Sequence, residues 1–212
     1  AFWRTMTSPT GEGYFLEGCQ RAGTFLVDWF VDGFAGGRET EDRAALFARL
    51  EKMAASLPIG SEGATVCPYL TGCMDPHWDP DARAAITGLG PHHGVGHLYR
   101  ATLEALTLEC ARCVEAMRAE GLRPEMIVAV GGGATSALWR QMLADATGLP
   151  LALSSSLEAS SAGAAMAAAA GLGWYDSISE AAAHMTSETT SALPDPSSRS
   201  AWAALADRQA EA

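Results

Sequence analysis

The feature that most constrains this chain is a glycine run between an apolar segment and an amphipathic one. The sequence MIVAVGGGATSALWRQMLAD predicts a strand over 126–130, a turn at Gly131, Gly132 and Gly133, and a helix that begins near Ser136. Glycines let a backbone approach a ligand where any Cβ would intervene. The helix start adds unpaired N–H groups and a positive dipole end. Together these features suit a phosphate or the edge of a nucleotide.

The same residues exclude two common phosphate-binding motifs. The turn is not a P-loop, because no Gly-Lys-Ser/Thr follows it. It is not a dinucleotide fingerprint either, since that motif needs another glycine where Ser136 stands. A tight strand–helix turn without any ligand explains the glycines equally well, so on these residues alone both interpretations stay open.

The composition describes a folded, acidic protein. Of its 212 residues, 48% are hydrophobic and 18% are charged, so a sizeable core is available. The net charge of −11 disfavours nucleic acid and membrane surfaces as partners, because both are bound through basic residues. No apolar run reaches the roughly 18 residues that span a bilayer. Lys52 is the single lysine, so an anionic ligand must be bound by backbone amides, arginines, helix N-termini or a metal.

The start of the chain and its cysteines give expectations about cellular context. The first residues, AFWRTMTSPT, contain neither the apolar core of a signal peptide nor an initiator Met, so we expect the true N-terminus upstream. Five cysteines, an odd number, predict thiols in a reducing cytoplasm.

The remaining periodicities predict alternating helices and strands. Strands are expected at 14–20, 64–70 and 149–153, and helices at 22–34, 42–56, 97–120, 160–170, 177–184 and 197–212. The helix 97–120 has two apolar faces, which predicts cover on both sides. We expect Trp29 and Phe30 to face inward, and the Ser/Thr/Pro stretch 187–200 to be a surface connection.

A second segment carries a family resemblance. It reads Ala84-x-Ile86-x-Gly88-Leu89, then seven residues, then His97-Leu98-x-x-Ala101-Thr102-Leu103-Glu104. This spacing resembles the second of two sequence patterns of the FGGY carbohydrate kinases, and every constrained position is met. The resemblance extends over about residues 13–205. It includes the loop PYLTGCMDPHWDPDAR, the glycine turn, and the closing helix EASSAGAAMAAAAGLGWY.

The resemblance implies an α/β, ribonuclease H-like fold of the actin/hexokinase ATPase type. Residues 1–212 are then a partial C-terminal, nucleotide-binding domain, without the sugar-binding first domain and without the first strands of the second. ATP and Mg²⁺ are the implied cofactors. The residues implied to contact adenosine and its phosphates are Gly131, Gly132, Gly133, Ala134 and Ser136, with Gly88 approaching from the other wall. No catalytic base and no metal ligand are assigned within the chain.

The implied function is the ATP-binding portion of a kinase that transfers the γ-phosphate of ATP to a sugar or polyol hydroxyl. The sugar is expected to bind mainly to the first domain, so this portion alone is expected to be inactive. A second hypothesis stays open: a catalytically inactive remnant or scaffold module with the same fold. An actin-like ATPase with a protein partner is a third hypothesis with weaker support. A homodimer is compatible with each of these.

Carboxylates and histidines offer metal-binding alternatives. Asp75, Asp79 and Asp81 alternate as Mg²⁺ or Ca²⁺ ligands can, although a solvated turn with a capping Asp explains them as well. The histidines do not match a known zinc spacing; they are His77, His92, His93 and His97.

Four further features have mainly structural interpretations. Cys110-x-x-Cys113 lies inside an apolar helix, which favours buried thiols over a redox pair. Arg100 and Glu104 are four residues apart and can form an ion pair. We expect Trp139 and Trp174 to pack in the core rather than stack on adenine. Asp145 is expected to cap or orient the glycine turn.

Overall fold

The computed structural model describes residues 4–40, 42–74, 78–156 and 158–211. Seven strands are described: β1 (Arg4–Thr7), β2 (Tyr14–Glu17), β3 (Thr65–Cys67), β4 (Ala85–Thr87), β5 (Ile127–Ala129), β6 (Leu151–Ser154) and β7 (Glu188–Ala192). The α-helices of the same ranges are α1 (Gly23–Phe34), α2 (Arg43–Ala55), α3 (Val95–Ala119), α4 (Ala137–Thr147), α5 (Ala159–Gly171), α6 (Ile178–Met185) and α7 (Arg199–Ala210). The described helices confirm the predicted ones to within a few residues at each end.

The strands form three small sheets. Strands β1 and β2 are antiparallel, as are β3 and β4. The third sheet has the order β5-β6-β7, with β5 and β6 parallel and β6 and β7 antiparallel. Parallel neighbours need a crossover, which helix α4 provides. This β5–α4–β6 unit places the glycine turn at the carboxyl end of β5.

Helix α3 is the centre of the core. Every residue from 99 to 109 is buried, and helices α1, α2 and α4 contact it. The main hydrophobic cluster combines residues of these helices with two from α7: Leu26, Phe30, Val31, Leu46, Leu50, Tyr99, Leu103, Leu106, Leu108, Met142, Trp202 and Leu205. The prediction that this helix is covered on both sides is confirmed over its middle turns.

A buried ion pair connects α3 to the end of α2. Arg100 Nε lies 2.8 Å from Glu104 Oε1, and Arg100 Nη1 donates to the carbonyl of Ala54. Glu104 also accepts hydrogen bonds from Gly60 N and Ser61 Oγ, each 2.9 Å long. Burial raises the pKa of Glu104, and the nearby Arg100 opposes that shift. The predicted pair is therefore confirmed, and its contacts are those of a structural element.

The Ser/Thr/Pro stretch is not only a connection. It contains β7, whose Ala192 is opposite Leu151 of β6 and whose Glu188 is opposite Ser154. Four of the five β7 side chains are exposed, and β7 is an edge strand of its sheet. The polar composition that predicted a loop here is equally typical of a solvated strand edge.

Two tryptophans were placed wrongly from the sequence. Trp29 is 37% exposed, whereas its neighbour Phe30 is 1% exposed and meets the prediction. Trp174 is 74% exposed, so its assignment to the core is wrong. It follows Gly173, whose positive φ of 73° turns the chain away after α5.

Over the described ranges, no helix is both long enough and apolar enough to cross a membrane.

Candidate nucleotide-binding site

The predicted strand–turn–helix is present. Gly131 has a φ of 76°, a left-handed conformation that strains any residue with a side chain. Residues Gly132–Thr135 then form one 3₁₀ turn. Ser136 caps α4, and its hydroxyl accepts a hydrogen bond of 3.0 Å from the backbone N–H of Trp139.

The glycines of the turn differ in what surrounds them. A Cβ on Gly133 would lie 2.7 Å from Cζ3 of Trp139 and 3.3 Å from Cγ2 of Thr24. A Cβ on Gly132 would meet no atom within 4 Å. The packing of the protein therefore requires glycine at Gly133, whereas the backbone of Gly132 is open to an incoming molecule.

A cavity of about 450 Å³ lies beside this turn. Helices α1, α2 and α3 form one side of it, and the glycine turn and the start of α4 form the other. The lining residues are Thr24, Val27, Asp28, Phe47, Ala48, Glu51, Tyr99, Leu103, Gly132, Gly133, Thr135, Ser136, Ala137 and Trp139. Its volume and its apolar lining with a few polar groups are typical of a small-molecule site.

Glu51 joins three helices at the cavity wall. Its Oε1 accepts a 2.7 Å hydrogen bond from Ser136 Oγ on the α4 cap and a 3.1 Å bond from the Tyr99 hydroxyl on α3. Burial raises the pKa of Tyr99, and the Glu51 carboxylate adds to that shift by favouring the protonated phenol. The Tyr99 hydroxyl is therefore a dependable donor, and it fixes the carboxylate in place.

The cavity wall carries negative charge. Glu51 and Asp28 both line it. Asp28 is paired with Arg43, whose Nη2 lies 2.9 Å from Asp28 Oδ1 and whose Nη1 lies 2.5 Å from Asp32 Oδ1. The guanidinium of Arg43 is thus already engaged by two carboxylates. A wall of this kind suits an uncharged ligand group better than an anionic one.

The structure brings together most of the predicted site residues. Gly132, Gly133 and Ser136 line the cavity, and Gly131 begins the turn. Ala134 is buried, and its carbonyl accepts a 2.5 Å hydrogen bond from Arg140 Nη1.

Gly88 is not among the residues that line the cavity. Its φ is 73°, and a Cβ there would lie 2.2 Å from the carbonyl oxygen of Gly63. The contact with Gly63 is thus a sufficient reason for glycine at this position.

The described residues among the alternative metal ligands include two, Asp79 and His97, whose contacts are those of ordinary structural residues. Asp79 Oδ1 accepts hydrogen bonds from the backbone N–H groups of Asp81 and Ala82, as a turn-capping residue does. His97 Nε2 lies 3.2 Å from Glu62 Oε2. Asp75 and His77 are outside the described residues. In the remainder of the chain, no three His, Cys, Asp or Glu side chains are grouped to hold a metal ion.

Two other predicted roles can be compared with the structure. Asp145 accepts from Gln141 Nε2 and from the backbone N–H of Asp195, each at 2.8 Å, so it connects α4 to the segment before α7. The prediction that it orients the glycine turn is wrong. Burial raises the pKa of the Cys110 thiol, which agrees with a packing role because a reactive cysteine needs a lowered pKa.

Comparison with known proteins places the chain in a family. A family model for the C-terminal domain of the FGGY family of carbohydrate kinases matches residues 1–172. A glycerol kinase from Aromatoleum aromaticum is 38% identical over 176 residues, which are 82% of this chain and 34% of that protein. A xylulose kinase from Bacillus subtilis is 30% identical over 183 residues, 86% of this chain and 35% of that protein.

Solved structures show the same fold. The xylulose kinase from Rhodospirillum rubrum superimposes with a TM-score of 0.78 at 30% identity, over 93% of this chain and 39% of that one. The Plasmodium falciparum glycerol kinase, solved with ADP, has a TM-score of 0.74 at 21% identity, over 93% of this chain and 38% of that one. The second likeness concerns the fold alone.

The α/β architecture is therefore the actin-like ATPase fold of the carbohydrate kinases. The chain belongs to the FGGY family, and the family match lies in the C-terminal domain. It spans about a third of the length of these curated relatives.

Proposed function

We propose that this chain forms the ATP-binding portion of a carbohydrate kinase that transfers the γ-phosphate of ATP to a sugar or polyol hydroxyl. The observation that carries the proposal is the cavity of about 450 Å³ beside the glycine turn. Relatives named glycerol kinase and xylulose kinase support the reaction class. A glycerol kinase of the same fold was solved with ADP, which supports the nucleotide.

The nucleotide is proposed to enter with its adenosine end inside the cavity. Phe47, Leu103 and Trp139 supply the apolar surface that a base needs. The backbone of the turn is proposed to offer N–H groups to the α-phosphate. The N–H groups of Ala134 and Ser136 are not among them, because they donate to the carbonyls of Gly131 and Gly133. The β- and γ-phosphates extend outward, since carboxylates on the wall repel them. Gly88 stays outside this proposed contact set because it packs on Gly63.

Catalysis of phosphoryl transfer depends on positioning the two substrates and on neutralising the charge of the phosphates. Mg²⁺ is proposed to arrive with the phosphates, whose oxygens are its preferred ligands. The sugar or polyol is proposed to bind mainly in the part of the relatives that this chain does not span, so the chain by itself is expected to bind nucleotide without transferring phosphate. A cytoplasmic location and a homodimer remain expectations of the same proposal.

Calorimetric titration of the 212-residue chain with ADP and Mg²⁺ tests the proposal. The informative variant is Gly132→Val, because the open space around Gly132 allows the folded protein to accept the side chain. We expect binding to weaken roughly tenfold or more, since the added methyl groups occupy ligand space. Gly163→Val is the matched control: it also has open space but lies on α5.

The outcomes separate the two candidate functions. Binding by the wild type and by Gly163→Val, with loss in Gly132→Val, supports a nucleotide site at the turn. No heat at millimolar nucleotide overturns the proposal and favours the inactive scaffold module. Equal binding by all three proteins removes the glycine turn from the site.

A further inference from the structure

We infer that Glu51 is a specificity-determining residue that accepts a hydrogen bond from a ribose hydroxyl of the bound nucleotide. This inference rests on the proposed function of the cavity as a nucleotide site. It goes further by assigning a role to a side chain on α2, which is separated from the glycine turn by about eighty positions of sequence.

Glu51 retains unused acceptor capacity at the cavity wall. An ionised carboxylate has about four acceptor positions on its two oxygens. The hydrogen bonds from Ser136 Oγ and from the Tyr99 hydroxyl both end on Oε1. Within the described part of the chain, no donor is bonded to Oε2, and Glu51 lines the cavity. Oε2 is therefore available to a ligand.

The carboxylate is also held in one orientation. Tyr99 is 2% exposed and belongs to the main core, so its hydroxyl is a fixed point. Ser136 is fixed by its second role as the cap of α4. A carboxylate bonded to two such donors is preorganised, and a ligand that uses it avoids most of the entropy cost of ordering a glutamate side chain.

The chemistry of Glu51 selects among the groups of a nucleotide. A carboxylate only accepts hydrogen bonds, so its partner must carry a donor. Phosphate oxygens carry none at neutral pH and share its negative charge. In adenosine nucleotides the donors are the ribose hydroxyls and the exocyclic amine of the base.

Position decides between those two donors. Glu51 is one hydrogen bond away from Ser136, which ends the glycine turn and begins α4. A nucleotide whose α-phosphate lies at this turn has its ribose directly next to the phosphate. Its exocyclic amine is at the far edge of the base. The geometry therefore places a ribose hydroxyl beside Glu51, and the site is expected to bind ADP more tightly than an analogue that lacks that hydroxyl.

The test is a titration series with four probes: ADP, 2′-deoxy-ADP, 3′-deoxy-ADP and the diphosphate of unsubstituted purine riboside. In the wild type, one deoxy probe should bind roughly ten- to hundredfold more weakly than ADP, as expected for the loss of a hydrogen bond to a charged group. The diphosphate of purine riboside keeps both ribose hydroxyls, so its affinity should not depend on Glu51 more than that of ADP does.

Two variants assign the penalty to Glu51. Glu51→Gln keeps the shape and can still accept from Tyr99 and Ser136, and Glu51→Ala removes the group altogether. In Glu51→Ala the ratio between the deoxy probe and ADP should fall to within a few-fold, even if ADP itself binds more weakly. In Glu51→Gln the ratio should fall only in part, because the amide can still form a neutral hydrogen bond with the hydroxyl. Asp32→Asn is the matched control: it removes a carboxylate that pairs with Arg43 and does not line the cavity, and it should retain the wild-type ratio.

The outcomes distinguish a failure of the ribose contact from a failure of the proposed nucleotide site. If the wild type binds none of the probes, the nucleotide site itself is wrong. If it binds ADP with no deoxy penalty, or if the penalty survives in folded Glu51→Gln and Glu51→Ala, Glu51 is not the ribose acceptor although the site stands. A Glu51-dependent penalty on the purine riboside probe instead assigns the residue to the base and overturns the ribose contact.

Discussion

Ser136 Oγ lies 2.7 Å from Glu51 Oε1, a hydrogen bond between residues 85 positions apart in the chain. It connects the cap of α4 to α2. Because the glycine turn precedes Ser136 directly, this bond fixes the turn relative to the helices on the other side of the cavity. The shape of the site thus depends on one long-range contact as well as on the local glycine sequence.

The first prediction concerns this contact. Ser136→Ala removes the cap of α4 and the donor to Glu51, and should lower the free energy of unfolding by about 1–2 kcal/mol. It should also weaken ADP binding, because the turn loses its fixed position. Chemical denaturation and calorimetry measure the two effects.

A matched control exists on α6. Ser177 caps that helix with the same geometry, its hydroxyl accepting from the backbone N–H of Glu180 at 3.0 Å. Ser177→Ala should destabilise without changing ADP affinity. If both variants bind ADP as the wild type does, the Ser136–Glu51 bond does not position the site.

The second prediction separates two adjacent glycines. Gly133→Ala places a Cβ 2.7 Å from the Trp139 ring and should destabilise the protein by about 1–3 kcal/mol, the usual cost of overpacking. Gly132→Ala meets no atom within 4 Å and should leave the unfolding temperature nearly unchanged. Thermal unfolding followed by circular dichroism compares them. Equal unfolding temperatures would contradict the packing of Gly133 against Trp139.

The third prediction concerns the buried pair of Arg100 and Glu104. Arg100→Met leaves the Glu104 carboxylate without its ionic partner, which should cost about 3–5 kcal/mol at neutral pH. The double variant Arg100→Met/Glu104→Gln should recover much of that loss, since no charge is then buried. A double variant as unstable as Arg100→Met would refute this account.

The same pair gives a pH dependence with a definite sign. The pKa of Glu104 is raised in the folded state, so the folded protein binds its proton more readily than the unfolded chain. The stability linked to this group is fully present below its ordinary pKa and is lost as pH rises through the folded value. Without Arg100 the pKa rises further. Denaturation at about pH 5 and about pH 8 should therefore show a smaller gap between Arg100→Met and the wild type at the lower pH.

The parts of the fold that could be predicted from sequence are those set by neighbouring residues. The apolar run before Gly131, the glycines and the good helix formers after Ser136 are contiguous, so the strand, turn and helix were predictable. The family pattern around His97 likewise depends on local spacing. The wrong placement of Trp174 and the missed strand β7 have a different origin, because solvent exposure and strand pairing both depend on parts of the molecule that are distant in sequence.

The side of the cavity opposite the glycine turn was not predictable from the sequence. Glu51 lies in an amphipathic helix where a solvated glutamate is the ordinary expectation, and only the folded structure brings it to Ser136. Thr24 and Phe47 reach the cavity in the same way, from helices distant in sequence from the turn. A spacing of three or four along a helix indicates a shared face, but it does not indicate which other helix that face meets.

The last prediction tests the position of Gly88. Its positive φ and the short approach to the Gly63 carbonyl mean that Gly88→Ala should destabilise the protein by at least about 1 kcal/mol. Gly94→Ala is the control, because a Cβ there meets no atom within 4 Å and its φ of −122° suits any residue. Folded Gly88→Ala should still bind ADP with nearly wild-type affinity, because the residue does not line the cavity. If the variant keeps its stability but loses ADP binding, Gly88 contacts the nucleotide directly, and the nucleotide site extends beyond the cavity to the turn at Gly63.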